Sequence, residues 1–116
     1  MANPIVHWEI AGPDHEGLRT FYEELFGWKS EAVDENYALV QPEEGPGGGI
    51  MRTSGGMPPY ITVYVQVDDL KRALERVREL GGEPRVPPTK IGDSMEFALF
   101  ADPAGNMVGL LAGTRT

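Results

Sequence analysis

A chain of 116 residues is the size of one domain with a respectable core, and 41% hydrophobic residues place it among sequences that fold. Its formal charge of −8 argues against a nucleic-acid binder that tracks phosphates and against binding to an anionic membrane, since both need a basic face. Cysteine is absent, which removes disulfides, thiolate nucleophiles and zinc–thiolate sites and leads us to expect a cytoplasmic protein.

The start, "MANPIVHWEI", has no basic region leading into an apolar stretch, so no secretory leader is expected. No apolar run approaches the roughly 18 residues of a membrane span. Ile5 to Ile10 instead predicts a strand. Side chains alternate along it, so Val6, Trp8 and Ile10 share one apolar face, while Ile5, His7 and Glu9 share the other. An imidazole and a carboxylate two places apart have three readings: the start of a metal-ligand set, an acid/base pair, or a wet sheet face.

"AGPD" breaks the strand, and Asp14 is a good helix N-cap because its carboxylate can accept from free N–H groups of the first turn. The spacing of Leu18, Phe21, Tyr22, Leu25 and Phe26 predicts a helix over His15 to Phe26, ended by Gly27 in a left-handed conformation. His15, at the helix start, is expected to be exposed, and Trp8 and Phe21 to be core. A strand beginning near Trp28, another over Asn36 to Gln41, a "PEEGP" turn and the glycine-rich strand "GGGIMR" complete the first half. "GPGGG" lacks a following GK[ST] and does not run from strand to helix, so its glycines suit close backbone approach rather than a phosphate cradle. "TSGGMPP", residues 53–59, reads as a linker.

The second half opens on "YITVYVQVDDL". Ile61, Val63, Val65 and Val67 face one way, and Tyr60, Thr62, Tyr64 and Gln66 the other. The second set is polar yet aromatic, which suits a ligand pocket, a solvent face or a dimer contact. Asp68 or Asp69 caps a helix with the stripe Leu70, Ala73, Leu74, Val77 and Leu80, stopped by Gly81-Gly82. A strand near Glu83 to Val86, a turn at Pro87-Pro88, a strand near Ser94 to Ala101, the turn "DPAGN" and a last strand from Met107 to Ala112 follow. Phe100 is expected to be core. The order strand–helix–three strands therefore occurs twice, at an offset of 55 residues.

The doubled unit, "FYEELFGW", "VDDLKRALERVRELGG" and "DPAGN" ahead of the last strand resemble the vicinal-oxygen-chelate superfamily, which includes glyoxalase I, bleomycin-resistance proteins and extradiol dioxygenases. The resemblance covers essentially the whole chain. It implies an α+β fold of two tandem βαβββ modules, 1–52 and 60–116, that form a curled mixed sheet with the helices outside. It also implies metal ligands on the first and last strands of each module, facing the cup of the sheet. Those positions fall on His7, on Thr62 (or Ile61), on Gly48 or Gly49, and on Gly109, so His7 alone supplies a usual ligand.

A catalytic divalent metal takes about three protein ligands. Glu9 could join from the same strand face, and Glu96 if its strand points it into the cup. The expected function is thus a glyoxalase/bleomycin-resistance-like protein that binds a small molecule in the cup without the usual catalytic metal. The alternative is a metal-dependent lyase, isomerase or dioxygenase using His7. No cofactor is expected under the first reading, and a divalent metal under the second. His7 and Glu9 are the candidate catalytic pair, with His7 hydrogen-bonded in the cup as the plainer reading. Tyr60, Thr62, Tyr64, Gln66, Glu96 and Gly109 are the candidate ligand-binding residues. "GxSxG" is absent, so a serine triad has no support. A homodimer is expected, because open sheet edges invite pairing. A purely structural or partner-binding domain is the third reading.

Overall fold

Asp14 and Asp69 start the two helices in the same way. Each carboxylate accepts from a backbone N–H three residues on, Gly17 and Arg72, at 3.1 Å. The computed structural model describes residues 2–113. Its elements are β1 (Ile5–Gly12), α1 (His15–Phe26), β2 (Lys29–Asp34), β3 (Tyr37–Gln41), β4 (Gly48–Arg52), β5 (Tyr60–Gln66), α2 (Leu70–Glu79), β6 (Glu83–Ile91), β7 (Met95–Ala101) and β8 (Met107–Gly113). The order βαβββ runs twice, and the fold is α+β with mixed strand pairing, as expected. The end of the second module, residues 114–116, lies outside the described residues. Among the described residues, no helix is long and apolar enough to cross a membrane.

The chain divides into two compact units, Val6–Thr62 and the residues from Val63 onward joined by those up to Ile5. The first unit has the strand order β2-β3-β4-β1, with β1 and β4 parallel and the other pairs antiparallel. Register sorts its side chains. Trp8, Gly48 and Val40 lie in one row, and Ile10, Ile50 and Ala38 in the next. This is the face that α1 covers, and Ile50, Val40 and Ala38 are at most 1% exposed. The opposite face carries the row Glu9, Gly49 and Leu39 and the row Ala11, Met51 and Tyr37.

Two expectations on α1 are corrected. Phe21 is 58% exposed, with Leu25 and Phe26 equally outside, whereas His15 is buried. The five apolar residues span more of the helix circumference than the sheet can touch. The helix seats on the line His15, Leu18 and Tyr22, which recurs at three- and four-residue steps. Tyr22 stacks on Trp28 with ring centroids 5.7 Å apart, and Trp28 meets Trp8 at 4.9 Å. That aromatic run draws the helix to this seat and leaves Phe21 on its flank.

The second unit has the order β5-β8-β7-β6, with β5 and β8 parallel. Leu70 and Leu74 of α2 pack on Ala98 and Leu110, with Val65, Val67, Phe100 and Ala112 against them. Pro87-Pro88 is not a turn but lies inside β6, the outermost strand of this unit. Proline has no N–H to give a ladder, so it is tolerated at edges and irregularities. The β6–β7 register slips between Pro84 and Val86 and again between Val86 and Thr89.

Candidate functional site

His7 and Glu9 point to the face of the first unit that α1 does not cover. Tyr37, on β3, reaches between them. Its Oη lies 2.9 Å from His7 Nε2 and donates to Glu9 Oε2 at 3.0 Å. A phenol has one proton, so while its oxygen donates to Glu9 it can only accept from His7, which requires the tautomer with a proton on Nε2. Glu9 is only 8% exposed. A carboxylate that far from water is stable only when hydrogen-bonded, and the phenol supplies such a bond.

Gly49 makes this bridge possible. A Cβ at Gly49 would stand 2.1 Å from Tyr37 Oη and 2.3 Å from its Cζ. A glycine inside a strand marks close approach by another group, and here the group is the Tyr37 ring.

Tyr60 closes one side of the same face. Its hydroxyl donates to Met51 Sδ at 3.7 Å. Burial first, and the Glu9 charge second, raise its pKa above the ordinary 10.0. A raised folded-state value favours the native protein fully below pH 10.0 and loses that contribution as pH rises through the folded value. Alkaline titration of tyrosinate absorbance should therefore show a late-ionising phase to which Tyr60 contributes, and Tyr60→Phe should diminish it. Glu9→Gln should bring it part of the way back, since burial is the larger cause. A late phase of unchanged amplitude in Tyr60→Phe would assign the shift to another ring.

The remaining expected site residues fall as follows. Thr62 is buried on β5. In the second unit Tyr64 is paired in register with Gly109, and its ring lies across that glycine, where a Cβ would stand 2.3 Å from the ring. The backbone of Gln66 is taken up by the amino-terminal segment, donating to the Pro4 carbonyl at 2.9 Å and accepting from Asn3 Nδ2 at 3.0 Å. Glu96 is not brought to the Tyr64 face. It is paired with Ala112, which packs against the α2 core, whereas Gly109 pairs with Leu99 one step out of phase.

The residues present do not fit a divalent metal at the positions implied by the resemblance. At Gly49 and Gly109 a tyrosine ring occupies the space a ligand side chain would need. His7 and Glu9 are joined through a phenol. Among the described residues, no three histidine, aspartate or glutamate side chains gather into a group able to hold a metal ion.

Sequence reasoning missed Tyr37. A signal was available: Tyr37 and Gly49 in the first half, and Tyr64 and Gly109 in the second, are both tyrosine–strand-glycine pairs. Two clefts open beside the helix starts. One of about 680 Å³ in the first unit is lined by Ile10, Leu18, Tyr22 and Tyr60 among others. One of about 720 Å³ in the second is lined by Val67, Arg72, Arg76 and Phe100 among others. Neither is lined by His7, Glu9 or Tyr37.

Comparison with known proteins bears on this arrangement. The profile of the Glyoxalase/Bleomycin resistance protein/Dioxygenase superfamily matches residues 4–110. CFP32 of Mycobacterium tuberculosis, which carries a glyoxylase name, is 32% identical over 92% of this chain and 44% of its own length. The anthracycline biosynthesis protein DnrV of Streptomyces peucetius is 28% identical over 84% of this chain and 42% of its own. This chain thus spans less than half the length of these two relatives. A solved superfamily member from Vibrio splendidus 12B01 superposes with a TM-score of 0.68 at 14% identity, covering 96% of this chain and 99% of that one.

Proposed function

The chain belongs to the Glyoxalase/Bleomycin resistance protein/Dioxygenase superfamily, and from that premise we propose that it binds a small molecule on the His7–Glu9 face without the usual catalytic metal. The observation that carries this reading is Tyr37, whose ring lies over Gly49 and whose hydroxyl joins His7 to Glu9. Tyr60 adds a ring and a hydroxyl to the same face. Rings supply contact area, and a few polar groups orient a ligand. The likeness to an anthracycline biosynthesis protein supports an organic, ring-bearing ligand. A homodimer belongs to the same reading, with β2, the outermost strand of the first unit, as an edge free of proline.

Two measurements on the purified protein test it. The first is metal content, followed by titration with nickel, zinc, manganese and iron(II) of the native protein and His7→Ala. The second is a ligand-observed NMR screen of aromatic small molecules, repeated with chelator and with Tyr60→Ala. The expected result is no stoichiometric metal, and binding that chelator leaves intact and Tyr60→Ala weakens. Stoichiometric metal lost in His7→Ala would establish the metal-dependent alternative instead.

A further inference from the structure

We propose that two copies of this chain join helix to helix, with the aromatic flank of α1 on one copy seated in the cleft beside α2 on the other. The proposal rests on the homodimer reading and gives it a contact beyond the β2 edge. Phe21, Leu25 and Phe26 are each more than half exposed on α1. The two phenyl rings belong to one aromatic run. Phe21 meets Tyr22 edge-on at 5.0 Å, Tyr22 stacks on Phe26 at 6.0 Å, and Phe26 meets Trp28 at 5.0 Å. The internal repeat shows that the fold does not require this patch. At the offset of 55 residues, Phe21 matches Arg76 and Phe26 matches Gly81. An exposed aromatic patch that folding does not call for marks a protein contact.

Charge decides which surface meets it. α1 carries Glu16, Glu23 and Glu24 against Arg19, whereas α2 carries Lys71, Arg72, Arg76 and Arg78 against Glu75 and Glu79. The sign has changed at matched positions, since Glu16 corresponds to Lys71 and Glu23 to Arg78. Two α1 helices face to face would set like charges together, and so would two α2 helices. Only α1 against α2 brings unlike charges together. The cleft of about 720 Å³ supplies the seat, with Val67, Val77, Leu80 and Phe100 in its lining. Arg72 and Arg76 line it as well, one helical turn apart. Arg76 is held by Glu79 at 3.0 Å, whereas the Arg72 guanidinium has no ion pair or hydrogen bond among the described residues. Three carboxylates share the lining. Asp69 and Asp102 are occupied by N–H groups of their own turns, which leaves Asp68 alone against the two arginines. A phenyl ring seated there gains apolar burial and the attraction of a guanidinium for its face. Made twice, this head-to-tail contact closes two copies into a dimer.

Sedimentation velocity of the 116-residue chain, with variants alone and mixed, tests this. Phe21→Arg removes the inserted ring and copies what the repeat carries at the matched position. Arg72→Glu reverses charge in the receiving cleft. Both positions are exposed on helices, so both variants should fold, and Leu25→Glu is a second lesion of the α1 flank. The native chain is expected to form a dimer that added salt weakens. Each variant alone should associate about tenfold or more weakly. Mixing Phe21→Arg with Arg72→Glu should restore a dimer, because the first keeps an intact cleft and the second an intact ring. A native dimer that either variant leaves unchanged would overturn the helix contact and leave the homodimer reading standing. Failure of the mixture to associate would overturn it equally, since a surface that meets its own copy cannot be complemented this way. A native chain that stays monomeric to about 1 mM would overturn both.

Discussion

Gly49→Glu, which restores a carboxylate where the resemblance places a metal ligand, is expected to destabilise the protein by about 2–6 kcal/mol. Two costs combine. The new Cβ lands 2.1 Å from Tyr37 Oη, and forced overpacking costs about 1–3 kcal/mol. The ring can yield only by leaving His7 and Glu9, and losing its hydrogen bond to a buried charged carboxylate costs about 1–3 kcal/mol more. Urea unfolding would register the loss as a lower midpoint. Removing the ring should then rescue the variant: Tyr37→Ala with Gly49→Glu should be more stable than the two separate losses predict, because the sites share one space. The double variant also sets Glu9, His7 and a new carboxylate around the vacated position, so nickel titration of it tests whether the ring stands in the way of a metal. A Gly49→Glu protein within about 0.5 kcal/mol of the native one would mean the ring moves freely, and the reading of the site would fall.

The fold was legible because local signals repeat. Asp14 and Asp69 cap helices, Gly27 ends the first with φ of 72°, and strand alternation sorts Val65 and Val67 from Tyr64. The His7–Glu9 pairing was legible for the same reason, since residues two apart on a strand share a face. Tyr37 was not, because its partnership runs from β3 past Gly49 of β4 to His7 and Glu9 of β1, and depends on register that a single strand does not encode. Glu96 failed for a related cause. Its face is set by pairing with Ala112 on β8, and one residue of register separates the ligand face from the helix face. Pro87-Pro88 read as a turn because proline usually punctuates, and whether an edge strand can absorb it depends on strand order. Phe21 was misplaced because an apolar stripe tells how much of a helix is hydrophobic, not which part of it the sheet will touch.

That last point yields a paired expectation that separates a core Phe21, as read from the sequence, from the exposed Phe21 of the structure. Ile50→Ala should cost about 2–5 kcal/mol, and Phe21→Ala about 1 kcal/mol or less. Ile50 is fully buried in the row Ile10, Ile50 and Ala38 under α1, and β4 is flanked by β3 and β1. Its loss removes apolar contact and leaves a cavity that a strand paired on both sides cannot close. Phe21 would rank first if its side chain filled the core, since Phe→Ala in a core costs about 3–5 kcal/mol. At 58% exposure it has little burial to lose, and its edge-on contact with Tyr22, at 5.0 Å, is the main interaction at stake. Chemical denaturation of the two variants separates the cases. Ile50→Ala should act on function as well, because Ile50 adjoins Gly49, and a loosened β4 shifts the floor on which the Tyr37 ring rests. Faster exchange at His7 Nε2 in Ile50→Ala, unmatched in Phe21→Ala, would tie core packing on one face of the sheet to the hydrogen-bond chain on the other.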